Sequence, residues 1–85
     1  MTLKIGIGDK IKCIDNYFKD DPNSPFRISE IELPKRGNYY TVREITGESS
    51  IHPGIRLQEI KNKKYYFGKL HRWEEPSFGL HHFDY

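Results

Sequence analysis

The sequence is poor in cysteine, and its only one, Cys13, cannot form an internal disulfide. A single unpaired cysteine is compatible with a reducing compartment such as the cytoplasm. The chain also lacks an apolar run long enough to span a bilayer, and its first residues do not have the pattern of a secretion signal. These absences predict a soluble cytoplasmic protein that has no membrane partner.

Apolar residues are scarce as well. The 85-residue chain is 35% hydrophobic and 31% charged, so we expect a single domain, residues 1–85, with a small core. Its aromatic content of 14% partly compensates, because each ring buries a large area in a small space.

Two similar runs, residues 40–45 and 55–60, indicate a β-hairpin at the centre of the chain. Each alternates β-branched or aromatic residues with polar ones, and Gly and Pro punctuate the connection between them, residues 46–54. The spacings from Val42 to Ile45 and from Leu57 to Ile60 are odd, so strict alternation cannot put both ends on one face. We therefore expect a bulge in each strand, or a bend before the final isoleucine.

The remaining segments also favour strands over helices. Residues 10–14 alternate as a first strand, and a cluster of turn formers then opens a long excursion, residues 16–33, that packs on the sheet through Phe26 and Ile31. Residues 65–67 form a short strand or extended loop, residues 73–78 a second polar excursion, and Phe78, Leu80 and Phe83 a 3₁₀ turn followed by an edge strand. The pattern predicts a small all-β barrel with a core that contains Ile11, Cys13, Val42, Leu57 and Phe83.

Four segments carry a resemblance to known proteins. Residues 8–15 (GDKIKCID), 35–45 (KRGNYYTVREI), 54–60 (GIRLQEI) and 75–78 (EPSF), followed by Phe83, resemble in this order a group of small uncharacterised proteins of bacteriophages and prophages. These are taken to be SH3-like barrels. The resemblance implies a single small SH3-like barrel of about five antiparallel strands, with a long loop excursion after the first strand, in a phage or mobile element. It implies no catalytic residue, and the chain departs from the group in residues 16–33 and 61–72.

Positive charge is concentrated in the middle of the chain. The net charge is only +2, but residues 35–72 carry +6 between ends that are mildly acidic. Basic residues neutralise phosphates and interleaved rings stack on unpaired bases, so the basic-aromatic stretch, residues 61–73, is a candidate site for single-stranded nucleic acid. Its members are Lys61, Lys63, Lys64, Tyr65, Tyr66, Phe67, Lys69, His71, Arg72 and Trp73. The alternative is a solvated hairpin whose alternate rings fill the core.

A second candidate set consists of aromatic residues that are largely adjacent pairs: Tyr17, Phe18, Tyr39, Tyr40, Tyr65, Tyr66 and Trp73. Neighbours on a strand point to opposite faces, so one member of each pair is expected to point outward. Exposed Tyr and Trp are preferred residues of protein contacts.

The sequence does not indicate catalysis, a metal or a cofactor. Cys13 lies in an apolar strand and is expected to be a small buried hydrophobe. Adjacent His81 and His82 would point to opposite faces of a strand and would not share an ion easily. Glu44 and Glu59 could face each other across the hairpin, but we expect them to pair with Arg43, Arg56 or Lys61 instead.

Two functional hypotheses follow, both for a non-catalytic binding module. The first is a phage or mobile-element accessory protein that binds a host or phage protein, for example by inhibiting nucleic-acid-handling or defence machinery of the host. Its contacts would come from exposed Tyr and Trp and from residues 16–33. The second is direct binding of single-stranded nucleic acid through residues 61–73. A structural component of the virion is a third, weaker hypothesis.

Overall fold

Seven strands and two short 3₁₀ helices form the part of the chain that the computed structural model describes, residues 4–47 and 51–85. The strands are β1 (Lys10–Cys13), β2 (Tyr39–Thr46), β3 (Gly54–Leu57), β4 (Tyr65–Phe67), β5 (Arg72–Glu74), β6 (Phe78–Gly79) and β7 (Phe83–Asp84). The 3₁₀ helices are Ile28–Glu30 and Leu80–His82. The predicted connection, residues 46–54, includes residues 48–50, which lie outside the described residues.

All the strand pairings are antiparallel, so the all-β prediction is confirmed. Five strands form one sheet in the order β6-β3-β2-β1-β7, and β4 and β5 form a second, two-stranded sheet. Within the described residues β6 and β7 end the larger sheet on opposite sides, and hydrogen bonds do not close it into a barrel. Each of these edge strands has only two residues, which leaves few backbone groups for a closing ladder.

The central hairpin of β2 and β3 contains one bulge. Val42 pairs with Leu57 and Glu44 pairs with Arg56, so Arg43 is an extra residue on β2. In the second run the strand ends at Leu57, and Ile60 is buried beyond its end. The odd spacing thus has a different cause in each run: a bulge in β2, and a bend after β3.

The core lies on the inner face of the five-stranded sheet. The five residues that the sequence predicts to be buried together are all less than 5% exposed, which confirms that prediction. The other buried hydrophobic residues of this cluster are Tyr40, Ile55, Ile60, Phe78 and Leu80. Burying a large aliphatic or aromatic side chain contributes about 1.5–3 kcal/mol, so a core of this size leaves little surplus stability.

The long excursion, residues 16–33, has no strand and is stabilised by local side-chain bonds to its backbone. Asp20 accepts a hydrogen bond from the Ile28 N–H at 2.7 Å, and Glu30 accepts one from the Arg27 N–H at 2.8 Å. Ile31 packs against the core as predicted, whereas the Phe26 ring contacts β4 rather than the larger sheet. No helix in the described part of the chain has the length and apolar character needed to cross a membrane.

Candidate functional site

The β4–β5 hairpin has two different faces. Tyr66 pairs with Trp73 across the hairpin, and their rings meet edge to face with centroids 5.7 Å apart. Tyr65 and Phe67 alternate with Tyr66 and therefore lie on the opposite face, where both contact the ring of Phe26. Trp73 is 64% exposed and Tyr66 is 44% exposed, so their face points to solvent. The prediction of a polar excursion that starts at Trp73 is wrong, because Trp73 belongs to β5 and pairs with β4.

A hairpin of two three-residue strands is not stable by itself, so contacts with the rest of the chain must position it. One contact is aromatic: the centroid of the Phe26 ring lies 5.2 Å from that of Tyr65 and 6.2 Å from that of Phe67. A second contact is polar. The Glu32 N–H donates to Asn62 Oδ1 at 2.8 Å, and Asn62 Nδ2 donates to the Glu32 carbonyl at 3.0 Å. The excursion is therefore attached to the hairpin at two places.

The bulge in β2 supplies a third contact. Arg43 donates from Nε to the Leu57 carbonyl at 3.0 Å and from Nη2 to Glu75 Oε2 at 2.6 Å. The same Glu75 oxygen accepts the N–H of Asn62 at 3.1 Å. The Glu75 side chain is 12% exposed. Because it accepts from both Arg43 and Asn62, this carboxylate links the segments before β4 and after β5 to the larger sheet.

Arg56 of β3 adds to this link from a buried position. Its Nε and Nη2 donate to the Glu75 carbonyl at 3.0 and 2.8 Å, and its Nη1 lies 3.1 Å from Glu44 Oε2. The predicted pairing of Glu44 with Arg43 or Arg56 is confirmed. For Glu59 the prediction is wrong, because its carboxylate accepts hydrogen bonds from the N–H and hydroxyl of Thr41.

The environment of Glu59 has two opposing effects on the pKa of its carboxyl group. Burial raises the pKa of Glu59, but the two hydrogen bonds from Thr41, together with the Glu59 N–H and the charge of Lys10, outweigh this and leave the pKa below its ordinary value.

The basic residues of the stretch 61–73 lie at the surface. All six are exposed: Lys61, Lys63, Lys64, Lys69, His71 and Arg72. Arg72 forms a surface ion pair, with Nε 2.7 Å from Glu74 Oε1. The Nζ of Lys63 lies 5.0 Å from the centroid of the Tyr65 ring, and none of the four lysines pairs with a carboxylate in the described part of the chain.

The remaining predicted site residues do not belong to this surface. Tyr17 lies in the excursion and is 76% exposed, while Tyr39 opens β2 beside Lys12 of β1 and is 65% exposed. Phe18 is half-buried, with its ring against Phe78 and His82. The pairing rule itself is confirmed: Tyr17, Tyr39 and Tyr66 are exposed, and the neighbour of each is more buried.

Arg43, Arg56, Asn62 and Glu75 are the residues that position the site, and sequence reasoning does not assign them this role. The sequence contains one indication of this role, and it concerns Arg43. The odd spacing on β2 requires an irregularity near Arg43, and a bulge re-aims the side chain of the extra residue. Nothing in the local sequence indicates the carboxylate that this arginine reaches, because Glu75 lies 32 residues away.

His82 and Asp15 form a contact away from the hairpin, between the second 3₁₀ helix and the residues after β1. His82 Nδ1 lies 2.5 Å from Asp15 Oδ1, and the His82 side chain is 9% exposed. Because an ionised carboxylate can only accept, the Nδ1–H donates. This hydrogen bond, opposed by desolvation of the carboxyl, leaves the pKa of Asp15 below its ordinary value. His81 and His82 lie in a 3₁₀ helix rather than on a strand, and their ring centroids are 4.0 Å apart.

We expect the contact between Asp15 and His82 to stabilise the protein above a pH of about 4, the ordinary pKa of aspartate, and to be lost as the pH falls through the lowered pKa of the folded state. The free energy of unfolding of Asp15→Asn should thus lie below that of wild type at neutral pH and approach it in acid. Chemical denaturation across this pH range measures the difference. In a His82→Gln background the same substitution should show no such convergence; equal convergence in both backgrounds would contradict the assignment.

Comparisons with known proteins do not classify the chain. No protein-family model matches it, and neither a curated protein nor a solved structure matches it at a significant level. The resemblance to phage proteins stays a prediction, and function has to be argued from the surface described above.

Proposed function

We propose that the protein is a non-catalytic binding module of a phage or mobile element, active in the host cytoplasm, that binds single-stranded nucleic acid through the outward face of the β4–β5 hairpin. The observation that carries this proposal is the exposed pair Tyr66 and Trp73, on a stretch of the chain that also has four exposed lysines with no carboxylate partner in the described residues. Bases stack on such rings regardless of sequence, and lysines neutralise the phosphates that flank the stacked bases.

The composition of this surface favours nucleic acid over a protein partner. Tyr and Trp are enriched in both kinds of interface, but Lys is depleted in protein interfaces. The ring pair is edge to face, with an interplanar angle of 65°, so the edge of one ring meets a face of the other and the contact occupies only one ring face. Trp73, the more exposed of the two, offers the larger area for a base.

A protein partner is the second candidate function, and a different surface favours it. Tyr17 is highly exposed in the excursion and lines a surface groove together with Phe18 and Ile31. An accessory protein that binds, and for example inhibits, a nucleic-acid-handling or defence protein of the host would use this surface.

For the fold we infer an SH3-like barrel with an added hairpin. Three features support this inference: the larger sheet has five strands, the long excursion follows the first strand, and the first and last strands are neighbours. β4 and β5 are then an insertion between β3 and β6. The insertion carries the whole proposed contact surface.

Binding of a short labelled oligonucleotide, followed by fluorescence anisotropy as a function of salt, tests the nucleic-acid proposal. Each phosphate contact should contribute roughly −0.7 to the slope of log affinity against log salt. The triple substitution Lys61→Ala, Lys63→Ala, Lys64→Ala should therefore make that slope about 2 less steep. Absence of wild-type binding at about 50 mM salt would refute the proposal.

Substitution of either ring provides a second test in the same experiment, and this test does not depend on charge. Trp73→Ala or Tyr66→Ala should weaken binding by about 1–3 kcal/mol and leave the salt slope nearly unchanged, because stacking is not ionic. Tyr39→Ala is the matched control, since Tyr39 is equally exposed but lies on the larger sheet. An equal loss in the control would show that the hairpin is not the contact surface.

A further inference from the structure

A groove between the excursion and the segment around β6 is bordered by one buried histidine. The groove has a volume of about 560 Å³, and its apolar lining comes from Phe18, Phe26, Ile28, Ile31, Leu33 and Phe78. His82 of the second 3₁₀ helix also lines the groove, although its side chain is only 9% exposed. A concave and largely apolar surface with a few polar groups is the usual form of a site for a small molecule.

The contacts of the His82 ring leave one of its edges for the groove. Its Nδ1–H donates to Asp15 Oδ1 at 2.5 Å, so the edge with Nδ1 is occupied. The centroids of the Phe18 and His81 rings lie 4.1 and 4.0 Å from the centroid of His82. Two rings this close would overlap if they lay on one face of the imidazole, so they cover its two faces. The edge that carries Nε2 points away from Asp15 and is the part of the ring that lines the groove.

The Nε2 atom of His82 has no hydrogen-bond partner in the described part of the chain. Across residues 4–47 and 51–85, every fully buried side-chain nitrogen or oxygen has a partner. Since Nε2 has none, it is accessible, and the groove is the opening beside it. With its proton on Nδ1, the neutral imidazole presents a lone pair at Nε2 and can accept a hydrogen bond. An occupant that donates to Nε2 satisfies this atom, whereas one without a donor leaves it dehydrated and unpaired.

The rest of the lining defines the class of ligand. Its charged side chains, Lys19 and Asp21, have opposite signs, so they favour a neutral occupant over an ion. The two histidines of the lining add charge only when they are protonated. Phe18, Phe26 and Phe78 supply rings against which a further ring packs edge to face or offset.

We propose that the groove is a binding site for a small neutral aromatic molecule that carries one O–H or N–H donor. The donor is directed to Nε2 of His82, and the ring packs on the apolar lining. The Asp15 carboxylate keeps the proton on Nδ1 and so leaves the lone pair on Nε2. Neither Tyr66 nor Trp73 lines the groove, so the proposal does not depend on nucleic-acid binding.

Two probes of similar shape, phenol and anisole, test the proposal. Both have a ring and an oxygen, but only phenol has a proton to donate. Titration of each probe into isotope-labelled protein, followed by amide chemical shifts in nuclear magnetic resonance, gives the two affinities, and the amides of Phe18 and Ile31 report on the groove. The nitrogen resonance of His82 Nε2 should shift with phenol and not with anisole.

The variant His82→Asn removes Nε2 but keeps an N–H that can donate to Asp15. The ratio of phenol affinity to anisole affinity should fall about two- to tenfold in this variant, which is the net effect of one neutral hydrogen bond. Comparing ratios cancels the different hydrophobicities of the probes. His81→Asn is the matched control, because His81 also lines the groove, and it should keep the wild-type ratio. Circular dichroism verifies that each variant is folded.

Three results would overturn the proposal. The first is a wild-type protein whose groove amides shift with neither probe up to about 10 mM, which would leave this surface to a protein partner. The second is an affinity ratio that is the same in wild type and His82→Asn; if that variant does not fold, equal shifts of the Nε2 resonance with the two probes, or none, decide in its place. The third is a steep loss of phenol affinity between about 0.05 and 0.5 M salt, because binding of a neutral ligand should be nearly independent of salt.

Discussion

Leu57→Asp is expected to abolish cooperative folding. Leu57 is fully buried at the end of β3, opposite Val42, and its side chain belongs to the cluster of buried hydrophobic residues. A buried charge without a partner costs several kcal/mol even after relaxation. The total stability of a domain is about 5–15 kcal/mol, and a chain this small belongs at the lower end of that range. The loss should appear as a thermal melt without a transition and as far-ultraviolet circular dichroism of an unfolded chain.

Gln58→Asp is the matched control for this substitution. Gln58 is the next residue in the chain and is exposed, so the same new charge remains hydrated. Surface substitutions of this kind usually change stability by no more than about 0.5 kcal/mol. An unchanged melt of Leu57→Asp, or equal losses for the two variants, would contradict the assignment of the core.

Glu75→Ala is expected to release the β4–β5 hairpin from the larger sheet. The substitution removes the acceptor of Arg43 Nη2 and of the Asn62 N–H, and leaves Arg43 without its closest carboxylate. Breaking a fully buried ion pair costs about 3–5 kcal/mol; Arg43 is 23% exposed, so we expect a smaller loss, about 2–3 kcal/mol. Trp73 is the only tryptophan of the chain, and its fluorescence during denaturation reports on the hairpin itself.

Glu75→Gln separates the charge of this contact from its geometry. The amide oxygen can still accept one hydrogen bond, so the loss should be nearer 1 kcal/mol. In Glu75→Ala the fluorescence transition should precede the circular dichroism transition, because the hairpin detaches before the larger sheet unfolds. Coincident transitions, with a stability equal to that of wild type, would show that the carboxylate does not hold the hairpin.

Alternation of apolar and polar residues was sufficient to predict most of the strands. β1, β2, β3 and the short strand at residues 65–67 are present, and the final 3₁₀ helix and edge strand are also found as predicted. Period-2 patterns and turn residues act over a few residues, so a sequence displays them directly. The pairing rule for adjacent aromatics succeeded for the same reason, since neighbours on extended backbone point in opposite directions.

No local sequence pattern predicted the position of the β4–β5 hairpin. Local patterns leave open whether Tyr65 or Tyr66 is exposed, because both members of the pair suit either face. The outcome depends on Phe26, which approaches from the excursion and covers Tyr65. Phe18 was a candidate contact residue as a member of an adjacent aromatic pair. It is half-buried, because β6 and the second 3₁₀ helix bring Phe78 and His82 beside it.

The sequence by itself determined an all-β chain, a core of five named residues, and a basic-aromatic stretch at residues 61–73. Each of these follows from composition or from spacing within a short segment. Only the tertiary structure decided that this stretch is a separate hairpin with Tyr66 and Trp73 outward. That arrangement depends on the contacts of Arg43 with Glu75 and of Glu32 with Asn62, which join residues 32 and 30 positions apart. Partners so distant in the chain meet only when the larger sheet has formed, because its bulge is what directs Arg43 toward the hairpin.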